Sequence, residues 1–197
     1  MGKRKSQEVR IIGGKWRGRK LRFHSTPDLR PTLGRMRETL FNWLRPEITG
    51  THCLDLFAGS GILGFEALSQ GASKVTLVDS HRAATDQMRL CAQTLQTTAS
   101  VEVRCQDALS FLRRSADTYW DIVFLDPPYK TPGLLIDAIT VLATKPKPPR
   151  WLYIESRDVE AIQLNLAGLG FDTTKSTRAG DAQALLCQFN SARDATP

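Results

Sequence analysis

Leu54-Asp55-Leu56-Phe57-Ala58-Gly59-Ser60-Gly61-Ile62-Leu63-Gly64 runs from an apolar stretch into glycines spaced G-x-G-x-x-G. An apolar strand that ends on such a turn and opens a helix is the first unit of a doubly wound sheet. Cys53–Phe57 reads as the strand, and the helix continues through Leu68. Working outward, Val75–Val78 is a second strand closed by Asp79, 20 residues after Gly59. A helix at Arg82–Leu95 leads to a third strand, Val101–Cys105, then a short helix at Ala108–Leu112. Asp121–Leu125 and Leu152–Glu155 are the fourth and fifth strands, and Val159–Leu166 is a helix. Phe171–Ser176 and Ala184–Phe189 meet at Gly180-Asp181 as a hairpin. Strands alternating with helices and closing on a hairpin predict an α/β fold. Its sheet is expected to be doubly wound, mostly parallel and seven-stranded, with an antiparallel C-terminal edge strand.

Upstream the pattern differs. Arg10-Ile11-Ile12-Gly13-Gly14 and Arg19-Lys20-Leu21-Arg22-Phe23 flank Lys15-Trp16-Arg17-Gly18, which reads as a basic β-hairpin. Pro27 and Pro31 bracket a loop. Leu33, Met36, Leu40, Phe41 and Leu44 then recur at helical spacing, with Thr32 as N-cap and Pro46 as stop. The expected organisation is a basic extension over 1–50, a main domain over 51–190 and a tail over 191–197.

Charge is distributed unevenly. Residues 1–50 hold 13 Lys and Arg against 4 Asp and Glu, a net of +9. The other 147 residues hold 14 against 16, a net of −2. A concentrated basic arm attracts polyanions and releases counterions on binding. Lys15, Arg17, Arg19 and Lys20 on the hairpin are the expected phosphate contacts, with Arg10, Arg30, Arg35 and Arg37 beside them. Such a hairpin is expected to contribute little core.

The 197 residues, 41% hydrophobic and 24% charged, have ordinary globular composition. No apolar run approaches the ~18 residues of a membrane span, and no apolar segment follows the charged start, so neither a membrane nor a secretory signal is expected. Cys53, Cys91, Cys105 and Cys187 are scattered, and His24, His52 and His81 sit in no constellation. No metal site is expected. A cytoplasmic monomer fits these features.

G-x-G-x-x-G followed by an acid also fits a dinucleotide site. Asp55 argues against that, because a carboxylate beside the turn would repel a pyrophosphate. S-adenosyl-L-methionine has no phosphate and brings an ammonium, a carboxylate and a sulfonium. The glycines allow close backbone approach, and Asp79 can accept hydrogen bonds from ribose hydroxyls. Asp107 either faces the adenine amine or caps the following helix. Phe57, Ala58, Gly59, Ser60, Gly61, Ser80 and Ala108 complete the expected cofactor set.

Asp126-Pro127-Pro128-Tyr129 ends the fourth strand, on the side of the sheet where ligands bind. An exocyclic base amine is a poor nucleophile, because its lone pair is delocalised into the ring. Asp126 and a backbone carbonyl fixed by Pro127 and Pro128 can accept its hydrogens and stabilise the positive charge that builds on nitrogen. Tyr129 offers a ring for an extruded base.

The segment Leu54–Gly64 with Asp126–Tyr129 resembles amino-methyltransferases of the D-P-P-Y type. Arg10-Ile11-Ile12-Gly13-Gly14, Leu29-Arg30-Pro31-Thr32 and Arg37-Glu38-Thr39-Leu40-Phe41-Asn42 resemble the RsmD family, which methylates a guanine exocyclic amine in bacterial 16S ribosomal RNA. The resemblance runs from about Arg10 to Phe189. It implies S-adenosyl-L-methionine held by Asp55, Gly59, Gly61, Asp79 and Asp107, and the target base held by Asp126–Tyr129. It also implies that Arg30–Asn42 lies over the methionine end of the cofactor, and that 16S RNA is the partner, alone or in an assembling small subunit. The family usually follows Arg-Pro-Thr with Thr-Asp, where this chain has Leu33-Gly34. An adenine amino-methyltransferase, an NAD-dependent oxidoreductase and a non-catalytic RNA-binding module are the competing readings.

Overall fold

A computed structural model of the chain describes residues 6–24, 32–128 and 133–190. Arg30, Tyr129, the Pro27–Pro31 segment and the 191–197 tail lie outside the described residues.

The N-terminal hairpin pairs β1 (Ser6–Arg10) with β2 (Lys20–His24), with Arg10 opposite Lys20. Its first strand stops at Arg10. Ile11–Gly14 belong to the connection, which makes a 3-10 turn at Gly14–Trp16. Helix α1 spans Thr32–Leu44, so Thr32 is its first helical residue and not its cap. Then come β3 (His52–Asp55), α2 (Ile62–Ser69), β4 (Lys74–Asp79), α3 (Arg82–Thr94), β5 (Val101–Cys105), α4 (Ala108–Arg114) and β6 (Ile122–Leu125). The chain closes with α5 (Leu134–Ala143), β7 (Trp151–Ser156), α6 (Val159–Gly168), β8 (Phe171–Ala179) and β9 (Ala182–Phe189). Helix α5 is an element the sequence pattern does not announce. Its apolar run, Leu134-Leu135-Ile136, is not distinctive for helix over strand by periodicity.

The main sheet has seven strands in the order β5-β4-β3-β6-β7-β9-β8. β5 through β7 are mutually parallel, as expected. The C-terminal strand β9 is antiparallel to both β7 and β8, and it inserts between them, leaving β8 at the edge. β3 connects to β4 on one side and lies against β6 on the other. That is the topological switch point, where strand ends open a crevice.

Both faces of the sheet are covered by core. One holds Met36, Leu40, Phe41 and Leu44 of α1 with Phe65 and Leu68 of α2, packed on Phe124 and Tyr153. The other holds Leu112, Ile139, Leu142 and Ile162 over Leu54, Val123 and Leu152. A parallel sheet covered on both faces explains why its strands read as continuous apolar runs.

The hairpin, contrary to expectation, is tied into this core. Ile11, Trp16 and Leu21 are buried in the same cluster as α1 and α2. Glu66, fully buried on α2, accepts hydrogen bonds from the backbone N–H groups of Ile12 (2.9 Å) and Gly13 (2.8 Å). Ser69 accepts from the N–H of Trp16 at 2.9 Å and donates to the Gly13 carbonyl at 2.6 Å. Gly14 has φ +71°, and a Cβ there would stand 1.7 Å from the Ser69 carbonyl oxygen. The two backbones touch, so only glycine fits.

Candidate active site

The glycine turn begins where β3 ends. β3 stops at Asp55, two residues earlier than expected, and Leu56 and Phe57 enter the turn. The turn is sewn to both neighbours: the Leu56 N–H donates to the Phe124 carbonyl at 3.2 Å, and the Ala58 N–H to the Val78 carbonyl at 2.9 Å. Gly59 and Gly61 take left-handed φ values of +52° and +76°. At Gly59 a Cβ would meet nothing closer than 4.0 Å, so this part of the turn faces open space. At Gly64 it would lie 2.3 Å from Leu77 Cδ2 and 2.8 Å from Val75 Cγ2. The third glycine therefore lets α2 lie close on β4.

Asp79 links two turns. One of its oxygens accepts from the N–H of Gly59 at 2.9 Å, and the other from the N–H of His81 at 2.7 Å. Ser80 follows it on the surface. Asp107 caps α4: its Oδ1 accepts from the Ser110 N–H at 2.9 Å at the start of that helix. That hydrogen bond holds its carboxyl below the usual range. Asp107 remains exposed, with Ala108 buried behind it, and the preceding Gln106 N–H donates to the Asp79 carbonyl. The ends of β5, β4 and β3 thus form one rim.

Asp55 is only 2% exposed, and its Oδ2 accepts from the Gly64 N–H at 3.3 Å. It braces the turn from behind. Burial pushes its carboxyl up to about 7, opposed by the Gly64 hydrogen bond and reinforced by the charges of Asp79 and Glu155. Asp126 leaves the neighbouring β6, with Pro127 and Pro128 directly after it. Its carboxyl is also raised well above the ordinary range, by burial first and then by Glu155 and Asp55. Glu155 on β7, 6% exposed, accepts from the Tyr153 hydroxyl at 2.6 Å. Burial raises its carboxyl and the Tyr153 bond opposes the rise. Two buried acids, Asp55 and Glu155, and the half-buried Asp126 between them therefore stand at the ends of three adjacent strands.

Two cavities of about 420 and 310 Å³ open elsewhere, one between β4–β5 and α4, the other by the C-terminal ends of α5 and α6. Neither is lined by the glycine turn or by Asp126.

The family model described as conserved hypothetical protein 95 matches residues 9–188. Ribosomal RNA small subunit methyltransferase D of Escherichia coli is 48% identical over 137 residues, covering 70% of this chain and 68% of that protein. The chain belongs to the RsmD family. Its Haemophilus influenzae relative of the same description is 46% identical over 153 residues, 76% of this chain and 79% of the other. Among solved structures, the E. coli methyltransferase yhhF superposes with a TM-score of 0.81 at 39% identity, covering 93% of this chain and 99% of its own. A T. thermophilus 16S rRNA N2 G1207 methyltransferase, solved with AdoMet and guanosine, shares the fold at 20% identity. Its TM-score is 0.72, over 94% of this chain and 50% of that one. Family and fold make this chain a methyltransferase.

One expected site residue is corrected. Arg37, read as a phosphate contact, is 4% exposed: its Nη2 donates to the Arg10 carbonyl at 2.7 Å, and its Nε lies 3.8 Å from Glu66. It joins α1 to the hairpin and cannot reach a phosphate. Arg10, Lys15, Arg17, Arg19, Lys20 and Arg35 are exposed, though Lys20 is paired with Glu8 at 2.6 Å. Sequence reasoning does not find Glu66 or Glu155. The signal for Glu66 is an acid inside the apolar run Ile62–Ser69, which requires buried partners.

Proposed function

We propose that the protein transfers the methyl group of S-adenosyl-L-methionine to the exocyclic N2 amine of a guanine in bacterial 16S ribosomal RNA. The observation that carries this is the meeting, at the switch point of the sheet, of an open glycine turn after β3 and Asp126-Pro127-Pro128 after β6.

The residues fit the cofactor. The surface of the turn at Gly59 is open, and the acids around it suit an ammonium and ribose hydroxyls better than a pyrophosphate. When bound, the cofactor supplies an electrophilic methyl on a sulfonium. Gly59 allows its approach, and Gly61, where a side chain would meet Phe65, keeps the turn tight; Asp79 would hold the ribose, and Ser80, Asp107 and Ala108 line the adenine side. Asp55, Phe57, Ala58 and Ser60 shape the methionine end. Asp126 and the Pro127 carbonyl would accept the two hydrogens of the target amine, and Tyr129 would stack on the base. The exposed cations of the hairpin would hold phosphates without reading sequence. The naming of the relatives as small-subunit RNA methyltransferases supports this substrate, free or in an assembling particle.

Calorimetry tests the cofactor reading. S-adenosylmethionine or its demethylated product should bind and NAD should not. Asp79→Ala should weaken the binding by roughly 1.5–3 kcal/mol, the range for hydrogen bonds to a charged group. Comparable binding of NAD would overturn the reading.

A further inference from the structure

The third acid has no part in the site described so far. β6 and β7 are parallel, with Leu125 registered against Ile154, so Asp126 leaves β6 level with Glu155. Side chains alternate along strands, and Phe124 pairs with both Asp55 and Tyr153. Asp55, Asp126, Tyr153 and Glu155 therefore share one face. On the far side of β7, Glu155 pairs with Ala184 of β9, which brings no charge. Asp79 of β4 acts on Asp55. Arg37 of α1, packed on this face, is engaged by Arg10 and Glu66. Arg157 stands exposed just beyond β7.

We propose that Glu155, anchored by the Tyr153 hydroxyl, is a positioning residue for the methyl transfer, making the neighbouring Asp126 a stronger proton acceptor for the reacting amine. The inference rests on the function proposed above. In that reaction the amine nitrogen forms a bond to the methyl carbon while the carbon–sulfur bond breaks, its electron pair passing to sulfur. The nitrogen is left cationic and sheds one hydrogen as a proton to the Asp126 carboxylate. Two carboxyls this close cannot both ionise at their ordinary pH. Tyr153 donates to Glu155, so the negative charge settles there and the next proton goes to Asp126. A lone Asp126 would be a weaker base. The raised titration of both carboxyls agrees with this arrangement.

The test is the pH dependence of turnover on ribosomal RNA, measured alongside cofactor affinity. For wild type, turnover should fall on the acid side as Asp126 protonates. Glu155→Gln should move that midpoint down by about one pH unit or more, the size of coupling that defines an interacting pair. Its kcat at neutral pH should fall while cofactor affinity and KM for RNA hold. Tyr153→Phe removes the donor that keeps the charge on Glu155, so it should move the midpoint the same way by less. Glu155→Asp restores the charge and should recover part of the shift. If Glu155→Gln fails to fold, Tyr153→Phe decides the question. Unmoved midpoints in folded variants would overturn the proposal and leave Glu155 a structural acid. Asp126→Asn separates this from failure of the functional reading. If that variant keeps wild-type turnover, the functional reading falls and the role of Glu155 falls with it.

Discussion

Replacing Asp55 by Asn removes a buried acid while keeping its shape and an oxygen for the Gly64 N–H. Burial and the charges of Asp79 and Glu155 raise the folded-state titration of Asp55 from an ordinary 3.8 to about 7. A group whose folded pKa exceeds its unfolded value contributes stability in full below the unfolded value. That contribution is lost as pH rises through the folded one. The window here runs from about 4 to 7, and the full gap corresponds to about 4 kcal/mol at 1.36 kcal/mol per pH unit. At pH 5 somewhat under half of that is already gone, and by pH 8 all of it. The advantage of Asp55→Asn over wild type should therefore grow by about 2–3 kcal/mol between pH 5 and pH 8. Urea unfolding of both proteins at the two pH values measures it. A difference that does not change with pH, or one that moves in favour of wild type between pH 5 and pH 8, would refute the reasoning. In either case Asp55 would be ionised in the folded protein and supported by donors other than the Gly64 amide.

Changing Lys15, Arg17, Arg19 and Lys20 to Gln should weaken RNA binding and reduce its log–log salt slope by roughly 0.7 for each single-strand phosphate no longer neutralised. Lys20, already paired with Glu8, should count least; binding across a salt series, with an unchanged slope, would move the RNA footprint elsewhere. Gly14→Ala drives a Cβ into the Ser69 carbonyl and should undock the hairpin. Faster amide exchange at Ile12 and Gly13 would report this, and unchanged protection there would show that packing against α2 is not what holds them.

The sheet is legible in the sequence because its parallel strands are buried on both faces, giving short apolar runs between glycine and aspartate. The glycine turn and Asp79 are readable for a related reason: a strand-to-helix turn at a ligand site has few geometric solutions. Position within a shared core is harder to see. Arg35 and Arg37 are two residues apart on α1, yet one is exposed and the other is buried against the hairpin. Which helix face is covered depends on where the hairpin docks, and Glu66 and Ser69, far along the chain, determine that. Glu155 reads only as a strand end, since its meaning comes from register with β6, which one strand does not encode. The same holds for β9, whose insertion between β7 and β8 is a matter of pairing, not of local pattern.

The most direct measurement is the chemical identity of the methylated nucleoside. Small-subunit particles lacking the modification would be incubated with methyl-labelled S-adenosylmethionine and the protein, and the RNA digested to nucleosides. Label should appear in N2-methylguanosine, and Asp126→Ala should lower its rate of formation about 100-fold or more, as loss of one charge-stabilising group does. Label in N6-methyladenosine, or an undiminished rate with folded Asp126→Ala, would contradict the assignment of this crevice to guanine-N2 methyl transfer.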